Sequence, residues 1–308
     1  MYDIIIVGAG PAGMTAAIYA SQARKKILIL EKSVYGGQIV SADKVKNYPG
    51  FEEISGYEYA TKLYEQVKKY NPDFKFEEVI EIKNSDTFKE VITNKNSYKG
   101  KSVIIATGSK NRKLGLPNED KLIGKGVSYC STCDGMFFKD KIVAITGGGH
   151  NAIDDALYLS DIASKVYVIY RQKDFKIDSL NLEKLKEKDN VEFILNSNIT
   201  ELKGNEKLES IVVKDNDTSI ENKIDIDGVF IAIGHIPVSS MCKNLVKTNE
   251  IGYIIADENC NTNIDGIFAA GDIRIKPVRQ LTTACSDGTV AALNASKYLN
   301  KKTIEITQ

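Results

Sequence analysis

The sequence predicts an α/β fold with two nucleotide-binding-type domains, the second inserted into the first. Residues 2–31 and residues 141–169 each read as an apolar strand, a glycine-rich turn, a helix and a second strand. From Ile251 onwards the chain returns to the pattern of the first unit. We therefore expect a discontinuous first domain, residues 1–113 and 245–308, and an inserted domain, residues 114–244.

The composition is typical of a globular protein and excludes several classes of partner. The 308 residues are 43% hydrophobic, and Lys+Arg and Asp+Glu both number 41, so no net charge attracts nucleic acid or an acidic membrane. The segment Met1–Ile4 lacks the basic region of a signal peptide. No apolar run reaches the roughly 18–20 residues that span a bilayer. We predict a cytoplasmic protein that binds neither nucleic acid nor membranes.

The first strand–turn–helix unit carries a complete dinucleotide fingerprint. Strand Tyr2–Val7 is followed by Gly8-Ala9-Gly10-Pro11-Ala12-Gly13, the helix Met14–Ala23 and the strand Lys26–Leu30. The glycines allow a tight turn and the close approach of a pyrophosphate to the helix N-terminus. Glu31, at the end of the second strand, can accept hydrogen bonds from a ribose 2′-hydroxyl. The unit therefore predicts FAD or NAD as its ligand.

Loops, a surface helix and short strands follow before the second unit. Gly36-Gly37-Gln38 and Asn47-Tyr48-Pro49-Gly50 have loop composition. The predicted elements after them are a helix at Tyr57–Tyr70, short strands within Phe76–Thr93, a strand at Lys101–Ala106 and a linker at Asn111–Pro117.

The second unit has the same organisation but a weaker ligand signal. Strand Lys141–Thr146 leads into Gly147-Gly148-Gly149, then the helix Ile153–Ser160 and the strand Val166–Ile169. The glycines fit a second nucleotide, although the fold could also persist after its ligand has been lost. The acidic residue that NAD prefers is missing at the strand end. Both units thus predict Rossmann-like, three-layer ββα domains.

A cysteine pair lies between the two glycine turns, in the segment Cys130-Ser131-Thr132-Cys133-Asp134. Two thiols at this spacing could form half a zinc site, a redox couple or a pair of buried side chains. Zinc is disfavoured because the remaining candidate ligands are scattered: Cys242, Cys260, Cys285, His150 and His235. A redox couple is favoured, since the neighbouring nucleotide units supply an electron source. We predict no metal.

Together these motifs resemble those of the low-molecular-weight thioredoxin reductases, over essentially the whole chain. The matching segments are GAGPAG at 8–13, GGQ at 36–38, NYPG at 47–50, ATG at 106–108, CSTCDG at 130–135, GGG at 147–149, AIGHIP at 232–237, AAGD at 269–272, RQL at 279–281 and DG at 287–288. The resemblance implies a homodimer that reduces thioredoxin, with Cys133 next to the flavin, Cys130 exchanging with the substrate, and Asp134 moving a proton.

The resemblance also implies which residues bind FAD. They are Gly8, Gly10, Pro11, Ala12, Gly13, Glu31, Lys32, Gly37, Gln38, Asn47, Ala106, Gly108, Asp272, Arg279, Gln280 and Leu281. Two of these have structural alternatives, because Asn47 could cap a loop and Arg279 could form a plain ion pair.

One departure from the family concerns the electron donor. NADPH-dependent members carry His-Arg-Arg-x-x-x-Arg after the second strand of the inserted domain, whereas residues 170–176 here read Tyr-Arg-Gln-Lys-Asp-Phe-Lys. Too few guanidinium groups remain to clamp a 2′-phosphate. This resembles the ferredoxin-dependent flavin thioredoxin reductases, so we predict reduced ferredoxin as the donor. In the alternative, weaker NADPH binding persists at Gly147, Gly149, Arg171 and Lys176, with Lys173 also contributing charge.

Two further classes compete with this interpretation. Ferredoxin–NADP⁺ reductases of the same fold lack the dithiol, which this chain has. A non-enzymatic flavin-binding module would keep Cys130 and Cys133 as a passive disulfide.

Overall fold

The computed structural model describes residues 1–42, 44–85 and 87–307. The chain forms two compact units, Met1–Lys110 with Ile236–Gln308, and Asn111–His235. The boundary after Lys110 is close to the predicted one at 113/114. The boundary after His235 lies well before the predicted one at 244/245. No helix in the described part of the chain is long and apolar enough to cross a membrane.

The described residues form strands and helices in alternating groups. The strands are β1 (Tyr2–Val7), β2 (Ile27–Glu31), β3 (Asp73–Phe76), β4 (Val79–Asn84), β5 (Lys89–Thr93), β6 (Ser97–Ile105), β7 (Ser109–Asn111), β8 (Val127–Ser128), β9 (Ile142–Thr146), β10 (Lys165–Ile169), β11 (Val191–Ile194), β12 (Ser197–Lys203), β13 (Ser210–Asp215), β14 (Glu221–Asp225), β15 (Gly228–Ile231), β16 (His235–Pro237) and β17 (Ile267–Ala269). The α-helices are α1 (Pro11–Gln22), α2 (Gly56–Lys68), α3 (Glu119–Leu122), α4 (Ser131–Asp134), α5 (His150–Ser160), α6 (Leu180–Lys186) and α7 (Leu281–Thr307). Short 3₁₀ helices lie at Gly37–Ser41, Gly135–Phe138, Ser240–Cys242 and Gly271–Ile273.

The first unit is built on one sheet with strand order β3-β2-β1-β6-β5-β4, and β17 also pairs with β6. Strand β1 pairs in parallel with β2 and β6, whereas β4 and β5 add an antiparallel extension. The carboxyl ends of β1, β2 and β6 therefore share one edge of the sheet. In parallel sheets this edge is where ligands bind.

Strand β1 is buried on both faces because its apolar side chains alternate between two cores. Ile4 and Ile6 belong to the core formed with α1, α2 and α7, whereas Ile5 and Val7 belong to the core on the opposite face. A continuous apolar strand is what a parallel sheet covered on both sides requires. Each such buried side chain contributes about 1.5–3 kcal/mol relative to exposure.

The second unit has three layers. Its parallel sheet has the order β11-β10-β9-β15-β8, and β12, β13 and β14 form a separate antiparallel sheet. Helices α5 and α6 pack on one face through residues such as Leu159 and Leu182. The antiparallel sheet packs on the other face through residues such as Ile199 and Ile211. This ββα arrangement confirms the predicted α/β class.

Several elements begin or end differently from their sequence-based bounds. Helix α1 begins at Pro11 instead of Met14, because proline is well suited to the first helical position. Helix α5 begins at His150 instead of Ile153. Helix α7 continues to Thr307, since residues 289–307 include neither glycine nor proline. Residues 180–226, which carry no predicted element, supply α6 and the antiparallel sheet.

Candidate active site

The first glycine turn has the shape of a dinucleotide cradle. Gly8 has a φ of +105°, and a Cβ there would lie 2.5 Å from the carbonyl oxygen of Ala106. A Cβ on Gly13 would lie 1.9 Å from the Gly8 carbonyl oxygen, so this position holds the helix tightly against the turn. Gly10 is open, because a Cβ there would have no atom nearer than the Gly37 Cα at 3.9 Å. The turn is thus closed where it packs and open where a phosphate would approach.

Glu31 is fixed at the mouth of this turn. One carboxylate oxygen accepts the Ala9 amide at 2.9 Å, and the other accepts the Ser33 amide at 3.1 Å. The neighbouring Lys32 is directed elsewhere, because its Nζ pairs with Glu78 at 2.6 Å on the surface. Both carboxylate oxygens of Glu31 are therefore fixed by backbone amides.

Most of the other predicted FAD residues of the first unit lie around the glycine turn, in the loop at Gly36–Gln38 and at the start of α7. Pro11 and Ala12 open α1, with Ala12 buried, and Ala106 follows β6, where its amide donates to the Val7 carbonyl. The Gly36–Gln38 loop returns to the turn, since the Gly36 amide donates to the Ala9 carbonyl at 2.7 Å and the Gln38 amide donates to the Ser109 carbonyl. Asn47 donates to Gln280 at 3.4 Å, immediately before Leu281 opens α7. A Cβ on Gly108 would meet open space.

Asp272 and Arg279 carry the polar atoms that a bound cofactor would satisfy. Asp272 Oδ1 and Arg279 Nε are buried and have no hydrogen-bond partner among the described residues. Burial raises the pKa of Asp272, although Lys276 and Arg279 oppose this rise. The Arg279 guanidinium lies 4.2 Å from the ring centre of Tyr253, so a cation–π contact orients it. Buried polar atoms need partners, and these two fit a polar ligand such as FAD.

A buried ion cluster, which the sequence analysis missed, supports the segment that carries Asp272. Asp287 on α7 accepts two hydrogen bonds from Arg274, at 2.8 and 2.9 Å, and one from Lys276 Nζ at 2.8 Å. It also accepts the Gly271 amide at 2.9 Å. Burial alone would raise the pKa of Asp287, but Arg274 and Lys276 hold it below its usual range. The Asp287-Gly288 motif was the one sequence signal for this cluster.

The two cysteines of the second unit form a disulfide, with their Cα atoms 5.3 Å apart. Cys130 caps α4, and Cys133 lies within that helix. Asp134 accepts a hydrogen bond from the Ser128 hydroxyl at 2.6 Å, and that hydroxyl accepts the Cys130 amide at 3.1 Å. Ser128 thereby links Asp134 to the backbone of Cys130. Nothing in the sequence marked Ser128 for this position.

A second carboxylate anchors the residue that precedes Cys130. Buried Glu119 accepts the Tyr129 hydroxyl at 2.6 Å and the amides of residues 114–116 at 2.8–3.3 Å. Burial, followed by the hydrogen bond to Glu119, raises the pKa of Tyr129. Glu119 therefore joins the connecting segment to the start of the redox motif.

The second glycine turn keeps its backbone shape but is partly covered. Gly147 has a φ of +147°, and a Cβ there would lie 2.4 Å from the Ala232 carbonyl oxygen, which repeats the tight packing of the first turn. At Gly148, a Cβ would lie 2.1 Å from the ring of Tyr170. That ring stacks on Phe175, with centroids 5.0 Å apart and planes 9° apart. An aromatic side chain thus lies over the middle glycine.

The residues expected to hold a residual nucleotide are only partly available. Lys173 pairs with Asp217 at 2.6 Å, whereas Arg171 and Lys176 are exposed. A Cβ on Gly149 would meet open space. His150 is exposed at the start of α5, and the ring beside Gly148 belongs to Tyr170. In the part of the chain that the structure describes, no three His, Cys, Asp or Glu side chains could hold a metal ion.

A flavin-type dinucleotide cradle in one unit and a redox dithiol in the other define a flavoprotein disulfide oxidoreductase. A sequence model of the family described as pyridine nucleotide-disulphide oxidoreductase matches residues 2–288. The chain belongs to this family, and more narrowly to its thioredoxin reductases. This confirms the predicted class of enzyme, and the family implies a flavin at the first cradle.

Relatives match over nearly their whole length. A thioredoxin reductase of Bacillus subtilis (strain 168) is 40% identical over 302 residues, which are 98% of this chain and 96% of that protein. The crystal structure of thioredoxin reductase from Streptococcus pyogenes MGAS5005 has 41% identity and a TM-score of 0.92, covering 98% of this chain and 99% of that one. The crystal structure of a ferredoxin-flavin thioredoxin reductase from Clostridium acetobutylicum has 32% identity and a TM-score of 0.53. The match covers 97% of this chain and 98% of that one.

Proposed function

We propose that this chain transfers electrons from reduced ferredoxin, through FAD and the Cys130–Cys133 couple, to the disulfide of thioredoxin. The substrate is supported by full-length relatives that bear the name thioredoxin reductase. A ferredoxin-flavin enzyme also occurs among the relatives, so family membership is compatible with either donor. The observation that carries the choice of donor is the position of Tyr170 over Gly148.

Tyr170 disfavours a nicotinamide nucleotide for steric reasons. A pyrophosphate binds such a turn by approaching the backbone amides of its glycines. Here the Tyr170 ring, stacked on Phe175, lies against Gly148, so a nucleotide would first have to displace it. Lys173 is already paired with Asp217, and Gln172 is neutral. The 2′-phosphate of NADPH would find single contacts in place of an arginine clamp.

NADPH is the second candidate donor, because part of its site persists. Gly147 retains the tight turn, Gly149 is open, and Arg171 and Lys176 are exposed cations beyond β10. These groups could bind NADPH weakly if Tyr170 moved aside.

The first unit would hold FAD through groups whose partners the fold leaves open. The turn that Gly8 and Gly13 shape would receive the pyrophosphate at open Gly10. Glu31 would receive the ribose, and Asp272 with Arg279 would receive further polar groups of the cofactor. When bound, FAD supplies a carrier that accepts electrons one at a time and delivers them as a pair. That property suits a one-electron donor such as ferredoxin.

The dithiol carries out the exchange with the protein substrate. Opening the Cys130–Cys133 bond takes up two electrons and two protons and yields two thiols. Asp134, held by Ser128, takes the proton from the Cys130 thiol. The Cys130 thiolate then attacks the thioredoxin disulfide, which forms a mixed disulfide and releases one thioredoxin sulfur that takes up this proton. Cys133 attacks that bond, which releases thioredoxin as a dithiol and restores the Cys130–Cys133 disulfide.

Anaerobic reduction of the flavin by different donors tests this proposal. Reduced ferredoxin, NADPH and NADH are offered separately, with thioredoxin disulfide as the acceptor, and the flavin absorbance is followed. We expect fast bleaching and thioredoxin reduction with ferredoxin alone. Rapid bleaching at micromolar NADPH would contradict ferredoxin as the donor. It would not affect the assignment of the chain as a disulfide reductase.

A gain-of-function variant sharpens the test of the donor. Combining Tyr170→His, Gln172→Arg and Lys176→Arg replaces the covering phenol ring with a smaller imidazole and restores the three-arginine pattern. Each bidentate arginine–phosphate contact is among the stronger polar interactions. The rate of flavin reduction by NADPH should therefore rise at least about tenfold. Lys186→Arg, on α6, is the matched control and should change nothing.

A further inference from the structure

Ser131 lies between the two redox cysteines. This residue is 2% exposed, and its hydroxyl has no hydrogen-bond partner of normal geometry among the described residues. A buried hydroxyl left unpaired costs about 1–3 kcal/mol. An unpaired group of this kind beside a reactive bond calls for a functional explanation.

Helix α5 lies directly beneath the redox segment and brings a carboxyl group to Ser131. A Cβ on Gly135 would lie 2.9 Å from the ring of Tyr158, so the segment approaches α5 about as closely as glycine permits. Asp155, on the same helix, is close enough to Ser131 for the hydroxyl to lower its pKa. Burial outweighs this effect and raises the pKa of Asp155 to about 6, with Asp154 adding to the rise.

The charges on the elements around Asp155 are largely engaged elsewhere. On α4, Asp134 is bound by Ser128, and on α5 the exposed Asp154 accepts the Asn181 amide at 2.8 Å. The surface charges of α6 and β10 pair at their own sites: Lys186 with Glu183, and Lys165 with Glu192. Strand β9 has no charged residue, and no cation of the described residues is among the groups that shift the pKa of Asp155.

Opening the disulfide consumes two protons, and Asp134 accounts for one. We propose that Asp155 is a positioning residue of the dithiol, which acts through the Ser131 hydroxyl and shares a proton with the thiolate released when the disulfide opens. This rests on the proposed redox role of Cys130 and Cys133, but not on the identity of the electron donor.

The pH profile of thiol alkylation tests the assignment. Asp155→Asn, Asp154→Asn and wild-type holoenzyme are reduced with dithiothreitol without oxygen, then treated with iodoacetamide from pH 5 to 10. Mass spectrometry of the peptides separates Cys130 from Cys133. A carboxylate disfavours a nearby thiolate, so Asp155→Asn should lower the pKa of one redox thiol. A drop of one unit makes alkylation below that pKa about tenfold faster.

The control and a second variant keep the outcome decisive. Asp154→Asn removes an exposed charge from the same helix and should leave the profile as in the wild type. Ser131→Ala should lower the pKa of the same thiol by less than Asp155→Asn does. If Asp155→Asn does not fold, Ser131→Ala alone tests the proposal. Identical profiles for Ser131→Ala, Asp155→Asn and the wild type would overturn the proposal. Because the protein is reduced chemically, this result is separate from any failure of ferredoxin or thioredoxin turnover.

Discussion

At the scale of single residues, the two cysteines on either side of Ser131-Thr132 have unequal proposed roles. Cys130 precedes α4, whereas Cys133 lies within it. The two positions differ in surroundings, since the Cys130 amide is bound by Ser128 and its sulfur lies 3.5 Å from the Thr132 hydroxyl. The assignment of Cys130 to substrate exchange stays a prediction that comes from the family resemblance.

Replacing Cys130 by serine separates the enzyme from a passive flavin-binding module. Without a second thiol the disulfide cannot form or exchange, so Cys130→Ser should reduce thioredoxin turnover by a factor of a thousand or more, on the order of removing a catalytic nucleophile. Reduction of the flavin by its donor should persist, as stopped-flow absorbance would show.

The matched control for this substitution is Cys242→Ala. Cys242 is buried in the core of the first unit and is placed in neither site, so its loss should leave turnover unchanged. Full thioredoxin reduction by Cys130→Ser would contradict the role of the dithiol.

At the scale of elements, the segment between β17 and α7 illustrates how one helix supports a binding site. Helix α7 contributes Asp287, which binds the Gly271 amide and the side chains of Arg274 and Lys276. All of these groups are buried or nearly so. The cluster therefore fixes the backbone on both sides of Asp272. This also orients the Asp272 side chain, whose Oδ1 has no hydrogen-bond partner among the described residues.

Asp287→Asn tests whether the ion cluster supports the segment that carries Asp272, because it weakens that cluster. The amide has one acceptor oxygen for four donor N–H groups and no charge to balance two buried cations, a change that typically costs about 3–5 kcal/mol. FAD affinity should fall at least about tenfold, measured by flavin fluorescence during reconstitution of the apoprotein. Asp265→Asn, an exposed carboxylate before β17, is the control. Unchanged FAD affinity in Asp287→Asn would show that the cluster only stabilises the fold.

At the scale of the whole molecule, local sequence signals explain the parts that could be predicted. Strand β1, its glycine turn and Glu31 are contiguous, and their spacing alone determines a dinucleotide cradle. Contacts between distant segments leave no such signal: Glu119 with Tyr129, or Asp287 with Arg274. The antiparallel strands within residues 197–225 were missed because charged residues interrupt their apolar alternation. The homodimer stays a prediction of the family resemblance.

Tyr170 shows the limit of sequence reasoning most clearly. The broken arginine motif was visible in residues 170–176, but the aromatic ring over Gly148 was not, because it depends on how the segment folds back after β10. The structure therefore adds a steric reason to the charge argument against NADPH.

The central claim is that flavin and dithiol form a single electron-transfer chain. Anaerobic titration of the purified holoenzyme with dithionite tests it most directly, with flavin absorbance and free thiols counted together. We predict an uptake of about four electrons per chain, two by the flavin and two by the disulfide, and about two in Cys133→Ser. An uptake of two electrons by the wild type, with the Cys130–Cys133 bond still closed, would contradict the account.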